Sequence, residues 1–158
     1  MDEKLRLEDV DLLFKEEVAR EPGCQHLLRC FSCGACTASC PVSAIEAEFS
    51  PSLIIRQILY GLRQQLLSSP ALWFCARCAR CSFQCPQDVR FLDIIQGLRQ
   101  IAIRDGLISA ARAELLEKGE GLIQELRRQL INRILADPSE NTDPQEILSL
   151  LIKEMGEP

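Results

Sequence analysis

Aromatic residues are scarce: the 158 residues include six Phe, one Trp and one Tyr. A core must therefore be mostly Leu and Ile. Positive charge is in deficit, with 18 Lys and Arg against 23 Asp and Glu, a net charge of −5. That balance argues against a nucleic-acid footprint. Long apolar runs are missing too. None approaches the roughly 18 residues of a membrane span, and ALWFCA is far too short. Direct membrane insertion is not expected, although a membrane-bound partner is compatible. The opening MDEKLRLEDVDLLFKEE has no apolar h-region, so no secretory signal is expected and the cytosol is the expected compartment. No stretch alternates apolar and polar residues long enough for a strand. GxGxxG, a P-loop, a Ser/His/Asp grouping and HExxH are all missing. The pattern is that of a conduit rather than a catalyst, with no substrate site expected.

What the chain does have is cysteine, nine in all. In a reducing compartment they do not read as a disulfide framework, and the odd count fits disulfides poorly. Metal ligation is the better reading. The run CFSCGACTASCP, Cys30 to Pro41, repeats as CARCARCSFQCP, Cys75 to Pro86, with no intervening residue in common. Only the spacing of the sulfurs and the closing proline are shared, so the spacing is what the chemistry needs.

Thiolates two residues apart can converge on one centre, and three in CxxCxxC can hold three corners of a cube. In two-cluster ferredoxins the fourth Cys, followed by Pro, ligates the other cluster. One [4Fe–4S] cluster is therefore assigned to Cys30, Cys33, Cys36 and Cys85, and the other to Cys75, Cys78, Cys81 and Cys40. Proline after the fourth cysteine ends the local helix and removes a backbone donor. Four-cysteine zinc sites are the competing reading, but they usually use two well-separated pairs. Cys24 lies outside both frames and reads as a buried or free thiol. His26, the single histidine, reads as a capped or packed residue. Arg77 and Arg80, between ligands, either raise a cluster's potential or face solvent or a partner's acids. Trp73 and Phe74 read as a shield between a cluster and water.

The remaining signals are helical. Asp9 to Arg20 places Val10, Leu13, Phe14 and Val18 at helical spacing, with Gly23 as a stop. Ser50-Pro51 opens a helix with Ile54, Ile55, Ile58, Leu59 and Leu62 on one face, and Ser69-Pro70 repeats that start. Asp88 is a candidate cap for a helix to about Arg104, with Phe91, Leu92, Ile95, Leu98 and Ala102 inward and Gly106 as its stop. The two halves are expected to stack as pseudo-equivalent units. Beyond Gly106 the cysteines end. Leu122, Leu126, Leu130 and Ile134 step by four along one amphipathic face. ADPSENTDP reads as a linker, and Asp143 to Glu146 as a capping box for a last helix carrying Ile147, Leu148 and Leu151. The expected class is all-α, with residues 1–106 as the dicluster domain and 107–158 as a helical arm for subunit docking.

The phrases LWFCARCARCSFQCPQDVRFLDIIQGLRQIA and FKEEVAREPGCQHLLRCFSCGACTASCPV resemble the small iron–sulfur subunit, the C-type subunit, of heterodisulfide reductase and its relatives. The likeness runs from Leu13 to about Ile103 and includes all eight ligand positions. It implies an α-helical ferredoxin fold. It also implies electron transfer between a flavin-bearing A-type subunit and a catalytic B-type subunit of the same complex. The chain has neither a fused plant-type ferredoxin segment nor the CCG-rich segments of the B-type subunit. A freely diffusing dicluster ferredoxin and a zinc-stabilised interaction module are the alternatives.

Overall fold

The computed structural model describes residues 10–136 and 143–155, and every regular element among them is helical. The chain divides into two compact units, Met1–Ser109 and Ala110–Pro158.

The first unit is built from two similar halves. Each opens with a single 3-10 turn, Leu27–Arg29 or Pro70–Trp73. A cysteine run follows and ends in one turn of helix, α2 (Ala35–Ala38) or α5 (Arg80–Phe83). A longer helix closes each half, α3 (Pro51–Leu59) or α6 (Phe91–Arg104). The short helices α2 and α5 pack against each other and so bring the two cysteine runs together. A preceding helix, α1 (Phe14–Arg20), and α4 (Arg63–Leu67) complete the unit.

The helix boundaries follow from local chemistry. Ser50 Oγ accepts the Leu53 N–H and Pro51 fills the first turn of α3; Ser69 accepts the Ala71 N–H in the same way. Both long helices end in a Schellman motif. At the end of α3 the Gly61 and Leu62 N–H groups reach the Ile58 and Gln57 carbonyls; at the end of α6 Gly106 and Leu107 reach Ile103 and Ala102. Gly61 has φ +74°, and a Cβ there would collide with the Asp11 carbonyl. The same glycine's carbonyl accepts the Asp11 N–H at 2.8 Å, which ties the segment before α1 to the end of α3.

Two expected boundaries differ. The first helix begins at Phe14, and Leu13 is exposed rather than inward. Asp9 lies outside the described residues. Asp88 does not cap α6: the N-cap is Arg90, in left-handed conformation with φ 55°. Asp88, itself at φ 50°, turns to His26 instead.

The core of this unit is Phe14, Val18, Ile54, Ile55, Ile58, Leu66, Leu72, Ile94, Ile95, Leu98 and Ile101, closed by Phe49 and Phe91. Aliphatic side chains dominate, as the composition requires, but three of the six Phe are fully buried at its centre. Phe49 and Phe91 meet edge to face at 6.4 Å. Outside the core, Arg63 lies over the Phe14 ring and joins Glu17 at 3.1 Å and Asp105 at 2.6 Å. Arg104 adds Glu17 and Glu21. This ionic cluster clips α1 to α4 and to the end of α6.

The second unit pairs α7 (Ala110–Ala136) with α8 (Pro144–Met155). Asp143 Oδ1 accepts the Gln145 N–H at 2.9 Å, a simple N-cap to the second helical position rather than the bond to Glu146 that the expected capping box would make. Ile147 and Leu151 are buried, whereas α7 has no buried residue: Leu126 and Leu130 are half-buried, and Leu122 and Ile134 are exposed. The expected linker falls mostly on residues 137–142, outside the described residues.

Candidate metal centres

The repeat in sulfur spacing is also a repeat in backbone. Ser32 and Gly34 in the first run have φ 58° and 79°; Arg77 and Ala79, at the same places in the second, have φ 53° and 61°. Left-handed backbone costs a non-glycine residue roughly 1–2 kcal/mol. Spending that twice at matched positions marks a loop whose shape is required. The first turn lets a backbone N–H fold back onto a sulfur: the Ser32 N–H donates to Cys30 Sγ at 3.4 Å, and the Arg77 N–H plays that part toward Cys75. The second turn caps the short helix, and Cys36 or Cys81 lies within it. The Val89 N–H donates to Cys85 Sγ at 3.4 Å.

Two cavities each draw cysteines from both runs. One, with about 400 Å³ of space that includes open solvent, is lined by Cys30, Cys33 and Cys36 from the first run and by Cys85 and Cys81 from the second. The other, with about 310 Å³, is lined by Cys75, Cys78 and Cys81 from the second run and by Cys40 from the first. Cys81 and Phe91 line both, so the cavities share a wall. All eight cysteines of the two frames are thus brought to these cavities, and Cys24 is brought to neither.

The donor chemistry fits iron–sulfur clusters. No carboxylate or imidazole lines either cavity, and the walls between the thiols are largely apolar: Ile55, Val89 and Phe91 in one, Val42, Phe49 and Leu92 in the other. Such clusters are held by thiolates. Among the described residues no three His, Cys, Asp or Glu side chains gather tightly enough for a single metal ion. Four thiolates around a cubane stand farther apart than four on one ion.

Burial pushes several of these thiols up. Cys81, buried and close to Cys75, rises to about 11. Burial likewise raises Cys36, opposed by hydrogen bonds from Thr37. It raises Cys75, opposed by the Arg77 backbone N–H and by the charge of Arg99. Grouped, desolvated thiols of this kind need a positive centre to become thiolates. Cys33 and Cys78 are exposed, one from each frame.

The other singled-out residues fall as follows. His26 Nδ1 lies 3.0 Å from the Asp88 carbonyl and 3.2 Å from its carboxylate, a packing role that links the approach to one run with the exit from the other. Cys24 is fully buried, and desolvation followed by the charges of Asp93 and Glu21 pushes its thiol up to about 12. Trp73 and Phe74 line neither cavity; Phe49 and Phe91 take the expected shielding place. Arg77 and Arg80 are exposed. The residue missed from the sequence is Arg99, which is buried on α6 and donates to the Leu72 and Cys75 carbonyls. Its signal was present, because it lies on the same helical face as Ile95 and Ala102, where a charge is out of pattern.

A family model described as a 4Fe-4S dicluster domain matches residues 26–89. The chain is similar to the C-type subunit of the H(2):CoB-CoM heterodisulfide,ferredoxin reductase of Methanothermobacter thermautotrophicus. That match is 35% identical over 107 residues and covers 68% of this chain and 57% of the relative. A protein of Archaeoglobus profundus, described as like the C-type subunit of heterodisulfide reductase, is 29% identical over 140 residues, 85% of this chain and 74% of the relative. The C-type subunit of the ferredoxin:CoB-CoM heterodisulfide reductase of Methanosarcina acetivorans is 40% identical over 103 residues, 65% of this chain and 41% of the relative. The chain therefore spans only part of the length of these relatives. No helix among the described residues is long and apolar enough to cross a membrane.

Proposed function

We propose that this chain, which is similar to the C-type subunit of heterodisulfide reductase and matches a 4Fe-4S dicluster domain over residues 26–89, is an electron-relay subunit with two [4Fe–4S] clusters. Its place is a cytoplasmic complex of the heterodisulfide reductase type, between a flavin-bearing A-type subunit and a catalytic CCG-containing B-type subunit. The observation that carries this reading is the pair of thiol-lined cavities, each drawing three cysteines from one run and at least one from the other, with Cys81 common to both.

When bound, each cluster supplies a one-electron store whose charge is spread over iron and sulfide. Cys30, Cys33, Cys36 and Cys85 hold one; Cys75, Cys78, Cys81 and Cys40 hold the other. The Ser32 and Val89 N–H groups donate to ligand sulfurs and so stabilise their negative charge. Phe49, Phe91, Ile55 and Val89 supply apolar walls beside the sulfurs. Cys81 and Phe91, common to both cavities, keep the path between the centres short. Cys33 and Cys78, both exposed, give each centre one ligand at the surface, within reach of a docked partner. No residue of this chain is assigned to catalysis. The docking role goes to the helical arm, whose α7 leaves Leu115, Leu122, Ile123 and Leu135 exposed.

Anaerobic purification tests the reading. The full chain should hold about eight iron and eight sulfide, absorb broadly across the visible range, and co-purify with flavin-bearing and CCG-containing subunits. A chain that folds fully around two zinc ions and takes no iron overturns it.

A further inference from the structure

Arg99 is 8% exposed, the one charged side chain among the described residues that is buried. Its Nε donates to the Leu72 carbonyl at 2.8 Å and its Nη2 to the Cys75 carbonyl at 3.4 Å, and the guanidinium lies 5.1 Å from the Trp73 ring centre. These contacts orient the guanidinium and hold its positive charge against the backbone of a proposed cluster ligand. The guanidinium thus stands within hydrogen-bond reach of the Cys75 backbone.

The first half differs at the matching place. Leu27 corresponds to Leu72, and its carbonyl accepts the Cys30 backbone N–H at 3.2 Å, a neutral donor. Arg77 and Arg80 also flank the second frame, but they are exposed, and water and salt screen charges there far more than at a buried site. The two halves thus share a backbone and differ in one buried cation.

We propose that Arg99 sets the cluster held by Cys40, Cys75, Cys78 and Cys81 at a higher reduction potential than the cluster held by Cys30, Cys33, Cys36 and Cys85. An added electron then rests at the second frame. The inference builds on the two-cluster reading above. Reduction adds negative charge, and a fixed cation in a poorly solvated site favours the reduced form. Arg99 acts through the field at Cys75 and through the Cys75 carbonyl, so it is a positioning and tuning residue.

The test is a redox titration followed by electron paramagnetic resonance on the full, cluster-loaded chain. A Cys78→Ser variant, which alters the signal of its own cluster, assigns the two signals. Arg99→Gln keeps a hydrogen-bond donor and loses the charge; Arg99→Lys keeps the charge and loses the planar fork. The expected result is that the second-frame cluster is the easier to reduce in the wild type. In Arg99→Gln its reduction equilibrium falls roughly tenfold, about 59 mV for one electron, while Arg99→Lys stays close to wild type and the other cluster does not move. Equal shifts in both variants, or no shift in either, overturn the proposal and assign Arg99 to packing alone. If Arg99→Gln fails to load, the wild type and Arg99→Lys decide. A first-frame cluster that is the easier to reduce, or a fall in potential in Arg99→Lys, overturns it. A wild-type chain that loads no iron–sulfur cluster sinks the two-cluster reading and this inference with it. One that loads two clusters and ignores the charge at position 99 sinks the inference alone.

Discussion

Ala79 and Gly34 stand at equivalent points of the two cysteine loops, both left-handed, and only one of them is a glycine. Ala79 therefore stores strain of roughly 1–2 kcal/mol, partly offset by the smaller backbone entropy it loses on folding. Ala79→Gly should raise the anaerobic thermal midpoint by about 2 °C. Gly34→Ala should lower it by about 3 °C. A Cβ at Gly34 meets nothing within 4 Å, so backbone strain is the cause there. Cys24 makes a second residue-scale case. Its thiol is fully buried and pushed up to about 12, so it should resist alkylation by iodoacetamide in the folded, loaded protein and react only on unfolding. Fast labelling of Cys24 in the native state would contradict this. The linked stability has a definite sign. The unfolded thiol, near its ordinary 9.0, loses its proton first, so the contribution is complete below pH 9.0 and is lost as pH rises toward 12.

At the scale of elements, capping chemistry fixes where the helices that follow the cysteine loops end. Each loop is followed by a long helix that ends in a Schellman turn, and in the first half that turn also binds the segment before α1. The long α7 is a different object. It buries no residue, and its apolar positions exceed what α8 covers. Ile108 packs against the core of the first unit, so the informative truncation falls after Ser109. That shortened chain should keep its iron and sulfide and lose co-purification with the flavin-bearing and CCG-containing subunits. Loss of the clusters would instead make the arm part of the folding unit, and normal assembly would make it dispensable.

At the scale of the whole molecule, the proposed crosswise pairing would make each half incomplete without the other. Each cavity draws cysteine from the opposite run, Cys85 and Cys81 in one and Cys40 in the other. Cys85→Ser should therefore damage the cluster of Cys30, Cys33 and Cys36, 49 to 55 residues away in sequence, and leave that of Cys75, Cys78 and Cys81 spectroscopically intact. Iron content should fall by up to half. Damage confined to the cluster of Cys75, Cys78 and Cys81 would mean that each run serves its own centre. On the proposed two-cluster reading, cavities that share a wall would give a short wire with a separate exposed cysteine at each end, which is what a relay between two subunits needs.

Sulfur spacing, the two prolines that close the runs and the Ser-Pro helix starts were local signals, each read within a few residues, and they determined the helical class and the eight cysteines of interest. Periodicity placed the inward faces of α3 and α6 because burial repeats every turn of a helix. What lay beyond the sequence depended on neighbours distant along the chain. Leu13 keeps helical spacing yet faces solvent, because α1 begins only at Phe14. Asp88 is a good cap by type, but its carbonyl and carboxylate are drawn to His26, 62 residues earlier. Helical spacing puts Arg99 on the inward face of α6, but only the packed chain brings the Leu72 and Cys75 carbonyls to it. A side chain's partner across the core is a property of the packed chain, so the charge beside the second frame was decided only by tertiary structure.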